Sequence, residues 1–271
     1  MPLITISRGI GCGGMVIARL VAEELQVPLF DDRKLQQEAI GMGIRPEDVK
    51  ELEEKSPGFF DHLMNHKPEI YLNYMEALIY EVAKRGEGVI IGHGSQMLLR
   101  DFECALHVHI FAGLKSRIEN LITQQGLNED TARRLIKKAD HEQKGFLRYA
   151  FKMDWQDPSL YDLIINTEQI GLDMAVKIIV ETARSGQMKS CSLTAMEAME
   201  KLGLEKKIRA TLLDRGFTLS MLFFDIPAKG TVEIHGFVLS NEEKEEIPRI
   251  IRAIPGVSEV QDNISAYTRH V

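Results

Sequence analysis

Cysteine and tryptophan are scarce in this 271-residue chain, which has three cysteines and one tryptophan. The cysteines, Cys12, Cys104 and Cys191, are too few and too scattered to indicate a disulfide framework or a zinc site. We therefore expect reduced thiols, as in a cytoplasmic protein, and no metal site built from protein side chains.

Long apolar runs and an excess of basic residues are also missing. No stretch approaches the ~20 apolar residues that span a bilayer, and the N-terminus lacks the basic start and apolar core of a signal peptide. Export and membrane contact are therefore not expected. The formal charge of −7 argues against a nucleic-acid partner. A local basic cleft for a small phosphorylated ligand is compatible with that charge.

Residues 1–186 alternate short apolar runs with amphipathic segments, and this alternation predicts an α/β fold with a doubly wound parallel sheet. Strands are predicted at residues 3–7, 28–30, 88–92, 105–112 and 162–166. Helices are predicted at residues 15–25, 69–85, 114–124, 128–150 and 172–184. The acidic stretch 47–54 is typical of a solvated helix face.

A small polar stretch, residues 187–193, predicts a linker to a second domain, residues 194–271. The second domain has the pattern of a small α+β unit. Its predicted elements are a helix at 194–215, strands at 217–225 and 231–239, a helix from Ser240 or Asn241 to Ala253, and a strand at 257–267.

A glycine-rich loop joins the first predicted strand to the first helix. The spacing of Gly9 and Gly14 is that of the P-loop pattern G-x-x-x-x-G-K-[ST]. Met15 and Val16 stand where that pattern has lysine and a hydroxyl residue. The loop is either a phosphate cradle made of backbone amides or a tight turn without a ligand. Cys12 within it admits a redox switch, although a replacement for serine or alanine is the simpler interpretation.

Three further features have both a structural and a functional interpretation. His93 follows a buried strand, as a hydrogen-bonded structural residue or as a substrate contact. Asp31 and Asp32 follow the second strand, as helix caps or as polar site residues that contact a magnesium-bound water or a substrate hydroxyl. The basic stretch 133–148 is a solvated helix face or, if the loop binds nucleotide, a lid over phosphates.

Several ordered motifs across residues 1–186 resemble the cytidylate kinase-like family, a branch of the nucleoside monophosphate kinases. They are residues 4–8 with the glycine loop, 27–31, 89–94, and 106–108 with Ala112 and Arg117. The most specific is DWQDPSLYDLIINT, residues 154–167. The resemblance implies a P-loop kinase fold and transfer of the ATP γ-phosphoryl group to CMP or dCMP, with Mg²⁺ carried by the nucleotide.

The resemblance also implies three groups of site residues. The catalytic group comprises Arg8, Asp31, Arg117, Lys137, Lys138 and Asp140. The ATP-binding group comprises Gly9, Gly11, Cys12, Gly13, Gly14, Met15, Asn166 and Thr167. The acceptor-binding group comprises Asp31, Gly92, His93, Gly94, Asp154 and Asp157.

Three positions depart from the family pattern, which has arginine where this chain has Met15, His93 and Gln143. Each charge-assisted hydrogen bond contributes roughly 1.5–3 kcal/mol, so their joint loss could lower the rate by several powers of ten. A weak or inactive nucleotide-binding sensor is therefore the alternative to an active kinase. A protein that kept the fold and lost the site is a third hypothesis.

Residues 194–271 resemble a BON domain, with cues in residues 231–238 and 254–260. The resemblance implies a binding module whose partner is a protein or a small ligand. The glutamates between residues 242 and 246 argue against membrane docking, and they suit a helix N-terminus. The sequence leaves the oligomeric state open.

Overall fold

The computed structural model describes residues 2–44 and 68–266, so the predicted acidic helix face at 47–54 and the last predicted strand residue, 267, lie outside the described residues. The chain forms two compact units, one made of residues 1–66 and 85–195 and the other of residues 67–84 and 196–271. Across the described ranges, none of the helices has the length and apolar character that would let it cross a membrane.

The first unit contains a five-stranded parallel sheet in the order β2-β3-β1-β4-β5. The strands are β1 (Leu3–Arg8), β2 (Leu29–Phe30), β3 (Gly88–Ile91), β4 (Ala105–Phe111) and β5 (Leu163–Asn166). β1 is buried along its whole length, because helices cover both faces of such a sheet. The predicted α/β fold with a parallel sheet is confirmed.

Helices follow the strands of this sheet. Those of the first unit are α1 (Gly14–Leu25), α2 (Asp32–Gly41), α4 (Ser95–Leu98), α5 (Leu114–Gln125), α6 (Glu129–Phe151), α7 (Thr167–Ile170) and α8 (Leu172–Arg184). α1 and α8 pack with the sheet around Ile6, Val108 and Ile179, which are fully buried. The core therefore fixes the start of α1, and with it the glycine loop, against the ends of β1 and β4.

The second unit combines α3 (Pro68–Ala83) with the C-terminal elements α9 (Leu193–Asp214), β6 (Leu222–Asp225), β7 (Thr231–Val238), α10 (Asn241–Arg252) and β8 (Glu259–Ala266). Its sheet has the order β6-β7-β8, antiparallel between β6 and β7 and parallel between β7 and β8. α3 lies against α9: Glu76 pairs with Lys206 at 2.6 Å, and Gly203 lies so near Tyr80 that a Cβ there would be 3.2 Å from the Tyr80 Cβ.

The expectation of reduced thiols is wrong for two of the three cysteines. Cys104 and Cys191 form a disulfide, with their Cα atoms 4.9 Å apart. The two residues are 87 positions apart in the sequence, and only the tertiary fold brings them together. For that reason, spacing could not reveal the pair.

Candidate functional site

Two glycines of the loop after β1 hold conformations that other residues rarely adopt. Gly11 and Gly13 both have φ of +81°. A Cβ on Gly11 would lie 2.7 Å from the Arg117 carbonyl oxygen, and one on Gly13 would lie 2.5 Å from a Leu172 methyl group. The loop therefore needs glycine at both positions for backbone conformation and for space.

The loop leads directly into the N-terminus of α1. Gly13 is the N-cap, no side chain caps the helix, and its first turn contains no acidic residue. The first N–H groups of a helix have no partner within the helix, and they carry the positive end of its dipole. This end of α1 is therefore electrostatically suited to a phosphate group.

Side chains from neighbouring helices hold three successive carbonyl groups of the loop. Arg117 Nε donates to the Ile10 carbonyl at 2.7 Å, and Asn120 Nδ2 donates to the Gly11 carbonyl at 2.8 Å. Thr167 Oγ1 donates to the Cys12 carbonyl at 2.9 Å. These bonds fix the loop conformation without a ligand.

Asn120 is one of the residues that sequence reasoning missed. It lies one helical turn after Arg117, on the same face of α5. A polar residue on the same helix face as Arg117 was the signal in the sequence that could have identified Asn120.

Cys12 is turned into the protein. Its Sγ lies 2.8 Å from the Gly9 carbonyl oxygen and 3.4 Å from that of Ile110, and the residue is 1% exposed. Burial raises the pKa of the thiol, so it stays protonated at neutral pH. The predicted contact of residue 12 with ATP can involve only its backbone, and a buried protonated thiol is a poor redox switch.

A cavity of about 260 Å³ lies between the loop, α1, α5 and α6. Its lining combines loop glycines, the two residues that replace the P-loop lysine and hydroxyl, and side chains of the two helices. The lining residues are Arg8, Gly9, Ile10, Gly11, Gly13, Gly14, Met15, Val16, Leu121, Gln124, Gln125, Leu135, Lys138, Ala139, Glu142 and Gln143. Met15 lines this cavity and also packs against the core.

Two predicted catalytic residues, Arg117 and Asp140, form a two-pronged ion pair. Arg117 Nη1 and Nη2 donate to the two Asp140 carboxylate oxygens at 2.9 and 2.6 Å. Arg117 lies on α5 and Asp140 on α6. The pair joins these helices beside the loop, and neither residue lines the cavity.

The two predicted lid lysines, Lys137 and Lys138, differ in their position relative to the cavity. Lys138 lines the cavity, and its Nζ lies 3.5 Å from a carboxylate oxygen of Glu142, which is nearly buried. Lys137 is exposed and is not among the lining residues. Of the two, only Lys138 can add positive charge to the cavity directly.

Arg8 ends β1 beneath the loop and is 8% exposed. A Cβ on Gly14 would lie 2.6 Å from the Arg8 Cβ. Glycine is therefore required at position 14 for α1 to begin close to this arginine. Arg8 also lines the cavity. It therefore brings a second positive charge to the start of α1.

Four of the six residues predicted for the acceptor, Asp31, Gly92, His93 and Gly94, lie where β2 and β3 end. Asp31 is the N-cap of α2 and accepts a hydrogen bond from the Lys34 backbone N–H at 2.9 Å. His93 is buried with φ of +57°, and its Nε2 lies 2.8 Å from an Asp32 carboxylate oxygen. Asp32, which the sequence suggested as a polar site residue beside Asp31, joins the two predicted positions.

Three other predicted site residues, Asp154, Asp157 and Asn166, accept hydrogen bonds from nearby backbone N–H groups in turns and at a helix start. Asp154 accepts from the Gln156 backbone N–H, and Asn166 caps α7. Asp157 accepts from the Ser159 backbone N–H at 2.9 Å, a bond that lowers the pKa of its carboxyl group. Asp154 and Asp157 are exposed, outside the cavity.

A buried aromatic cluster lies beside β4, where β5 begins. The His109 ring stacks on Tyr161, with centroids 4.9 Å apart, and meets Trp155 edge-on at 5.1 Å. Burial lowers the pKa of His109 to about 4 and raises the pKa of Tyr161. Both rings are therefore neutral at pH 7.

The described residues contain no group of three or more histidine, cysteine, aspartate or glutamate side chains that could hold a metal ion. Val16 places an apolar side chain where a P-loop hydroxyl would contact magnesium. The donor set of this part of the chain does not fit a protein-held metal.

The chain is similar to known proteins in sequence and in fold. Cytidylate kinase from Pyrobaculum aerophilum is 24% identical over 183 residues, 67% of this chain and 92% of that protein. Cytidylate kinase from Pyrobaculum arsenaticum is 26% identical over 182 residues, with the same coverage. An uncharacterised protein of known structure from Eubacterium ventriosum has a similar fold, with a TM-score of 0.51 and 21% identity over 68% of this chain and 99% of that chain.

The sequence model of the cytidylate kinase-like family matches residues 3–169. The match contains the glycine loop, the Arg117–Asp140 pair, Lys138 and the acceptor-side residues, and it covers well over half of the chain. The chain belongs to the cytidylate kinase-like family.

Proposed function

We propose that this protein is a nucleoside monophosphate kinase that transfers the γ-phosphoryl group of ATP to CMP or dCMP. The observation that carries the proposal is the cavity at the N-terminus of α1, where the loop glycines meet Lys138 of α6. Family membership supports the reaction class. The likeness to cytidylate kinases, at 24–26% identity, supports the choice of acceptor.

Phosphoryl transfer needs little covalent chemistry from the protein, because positioning and charge neutralisation supply most of the rate. The N–H groups at the start of α1 would hold the donor phosphates, with Arg8 and Lys138 adding positive charge. Asp31 and the loop of Gly92, His93 and Gly94 would position the acceptor. Asn166 and Thr167 would lie near the adenine.

Magnesium enters the proposal only as a companion of the nucleotide. Because the described residues offer it no cluster of ligands, the ion would be coordinated by phosphate oxygens and water. The chain itself would then contribute binding, orientation and exclusion of water from the cavity.

The test is an ADP-release assay over a panel of nucleoside monophosphates with Mg²⁺ present. We expect CMP or dCMP to raise ADP release above the rate with ATP alone. No stimulation by any monophosphate would reject the kinase proposal.

A matched pair of variants ties the activity to the cavity. Lys138→Gln removes a charge that lines the cavity, and we expect it to lower turnover about tenfold. Lys115→Gln is the control, since Lys115 also pairs with a glutamate four residues later but is 88% exposed on α5. Equal turnover of the two variants would separate the activity from this cavity.

A nucleotide-binding sensor without turnover is the second candidate. Met15 lines the cavity where the family pattern has arginine, and Arg117 is paired with Asp140. This candidate predicts ADP binding by calorimetry together with no ADP release. A large rise in activity on Met15→Arg and Gln143→Arg would favour it, because it would identify the native site as degraded.

The C-terminal part of the chain enters as a proposal of its own. We propose a BON-like binding module at residues 194–271, after a linker at 187–193 and the kinase-like domain at 1–186. Its helix–sheet packing and antiparallel–parallel three-stranded sheet are compatible with such a module. Its partner would be a protein or a small ligand. The whole protein would reside in the cytoplasm, where the Cys104–Cys191 disulfide would be an exception to the reduced state of most thiols.

A further inference from the structure

Arg117, on α5 beside the glycine loop, directs its charge to Asp140 and is not part of the cavity lining. Each of the three Arg117 side-chain nitrogens has a protein partner: Nε bonds the Ile10 carbonyl, and Nη1 and Nη2 bond Asp140. The guanidinium also presses on the loop, since a Cβ on Gly9 would lie 3.1 Å from its central carbon. This arginine is 12% exposed.

Asp140 offers Arg117 the geometry of an anionic ligand. A carboxylate and a phosphate both present two oxygens that match the arginine fork, and such paired bonds are the strong ones. Ala139, the neighbour of Asp140, lines the cavity, as does Ile10, whose carbonyl Arg117 holds. The pair is therefore adjacent to the cavity without being part of its lining.

We propose that Asp140 is an internal competitor for Arg117, an autoinhibitory latch that nucleotide phosphates must open. The inference rests on the proposed phosphate-binding role of the loop. In the latched state α6 is tied to α5 and the loop, and among the described residues only Arg8 and Lys138 are cationic residues that line the cavity. When a di- or triphosphate binds, its oxygens take the place of the Asp140 carboxylate on the fork.

The latch predicts that the intact Arg117–Asp140 pair lowers the affinity of the site for phosphate groups. A positioning role for Asp140 predicts the opposite sign. If the carboxylate held Arg117 in the productive orientation, its removal would weaken phosphate binding.

The experiment measures binding of ADP and of inorganic pyrophosphate to the full chain by calorimetry at low salt. We expect Asp140→Asn to tighten binding of both about tenfold, which corresponds to about 1.4 kcal/mol. The control is Glu129→Gln, which removes a carboxylate from an arginine pair on the same helix, where Glu129 and Arg133 are both largely exposed. The control should leave both affinities unchanged.

The Asp140→Asn substitution is also made in a variant that lacks Arg117. This combination distinguishes release of Arg117 from a general change in charge. In Arg117→Gln the latch cannot form, so Asp140→Asn should lose most of its effect there. If this variant fails to fold, Arg117→Lys serves instead, because lysine keeps the charge and cannot form the fork. An undiminished effect in this background would overturn the latch.

The remaining outcomes distinguish the latch from the kinase proposal. Tighter pyrophosphate binding by Asp140→Asn without any turnover would retain the latch and remove the kinase function. Turnover with unchanged or weaker binding by Asp140→Asn would retain the kinase function and remove the latch. Absence of pyrophosphate binding by both proteins would remove the latch as well.

Discussion

His109 shows how one buried residue sets the response of the fold to acid. Its ring is 8% exposed among Tyr161, Trp155 and Phe111, and burial holds its pKa at about 4, below the ordinary 6.5. The unfolded chain therefore binds a proton between these two values while the folded chain does not. The contribution of His109 to folding stability is fully present above about pH 6.5, and it is lost as the pH falls toward 4. Burial lowers the pKa of His107 as well, which adds a loss of the same sign.

We predict that His109→Phe removes part of this acid sensitivity. Over the window of about 2.5 pH units, His109 alone accounts for at most about 3 kcal/mol of the free energy of unfolding. The measurement is urea unfolding at pH 7 and pH 5, followed by fluorescence of Trp155, the single tryptophan and a direct neighbour of His109. His141→Gln, at an exposed position, is the control. An equal loss of stability at pH 5 in wild type and His109→Phe would contradict the assignment.

The residue types of the site could be predicted from the sequence, but their pairings could not. The spacing of the glycines after β1 predicted the loop. In the structure, Gly11 and Gly13 of this loop have a positive φ. The fork from Arg117 to Asp140 joins residues 23 apart on two helices, and the bond between His93 and Asp32 joins residues 61 apart. Such contacts depend on how elements pack, which a single sequence does not encode locally.

At the scale of elements, α6 links the glycine loop with the acceptor loop after β3. Asp140 in its middle reaches Arg117. At its last residue, Phe151 packs on Gly94: a Cβ on Gly94 would lie 2.3 Å from the Phe151 ring. One continuous 23-residue helix therefore carries contacts to both sides of the proposed reaction.

The Gly94 contact gives a prediction with a closely matched control. Gly94→Ala adds a methyl group to a residue with φ of +67° and forces it against Phe151, so we expect a loss of about 2 kcal/mol in the free energy of unfolding. Gly126→Ala has the same φ of +67° with open space around it, so it should cost only about 1 kcal/mol. Thermal unfolding measures both. Equal losses would show that the Phe151 contact contributes nothing.

Element boundaries were predictable where periodicity was strong. The helix predicted at 128–150 is observed at Glu129–Phe151, with Asn128 as its cap. The strand predicted at 217–225 begins only at Leu222, because residues 217–219 have no regular structure and residues 220–221 form a turn, while Phe217 and Leu219 pack against the core. The short helices α4 and α7 were missed, since four residues carry no detectable period.

At the scale of the whole molecule, the chain enters the second unit twice. α3, from the middle of the sequence, packs with α9 through Gly203 and through the Glu76–Lys206 ion pair. Eight of its sixteen residues are buried. The hydrophobic pattern predicted this helix but could not assign it to the C-terminal elements, because amphipathicity does not name a partner.

We predict that a fragment of residues 1–192 is poorly soluble compared with the full chain. It contains α3 without the α9 surface that covers Tyr80 and its neighbours. Exposed apolar helix faces of this kind promote association. Size-exclusion chromatography of both proteins is the measurement, and a monomeric, soluble fragment would show that α3 does not require α9.

The late arrival of α9 has a consequence for biosynthesis. A ribosome delivers α3 well before α9, so during translation the nascent chain carries an apolar helix whose partner does not yet exist. The second unit can close only after its last strands are released. We therefore expect the apolar face of α3 to stay uncovered during elongation until α9 has been synthesised.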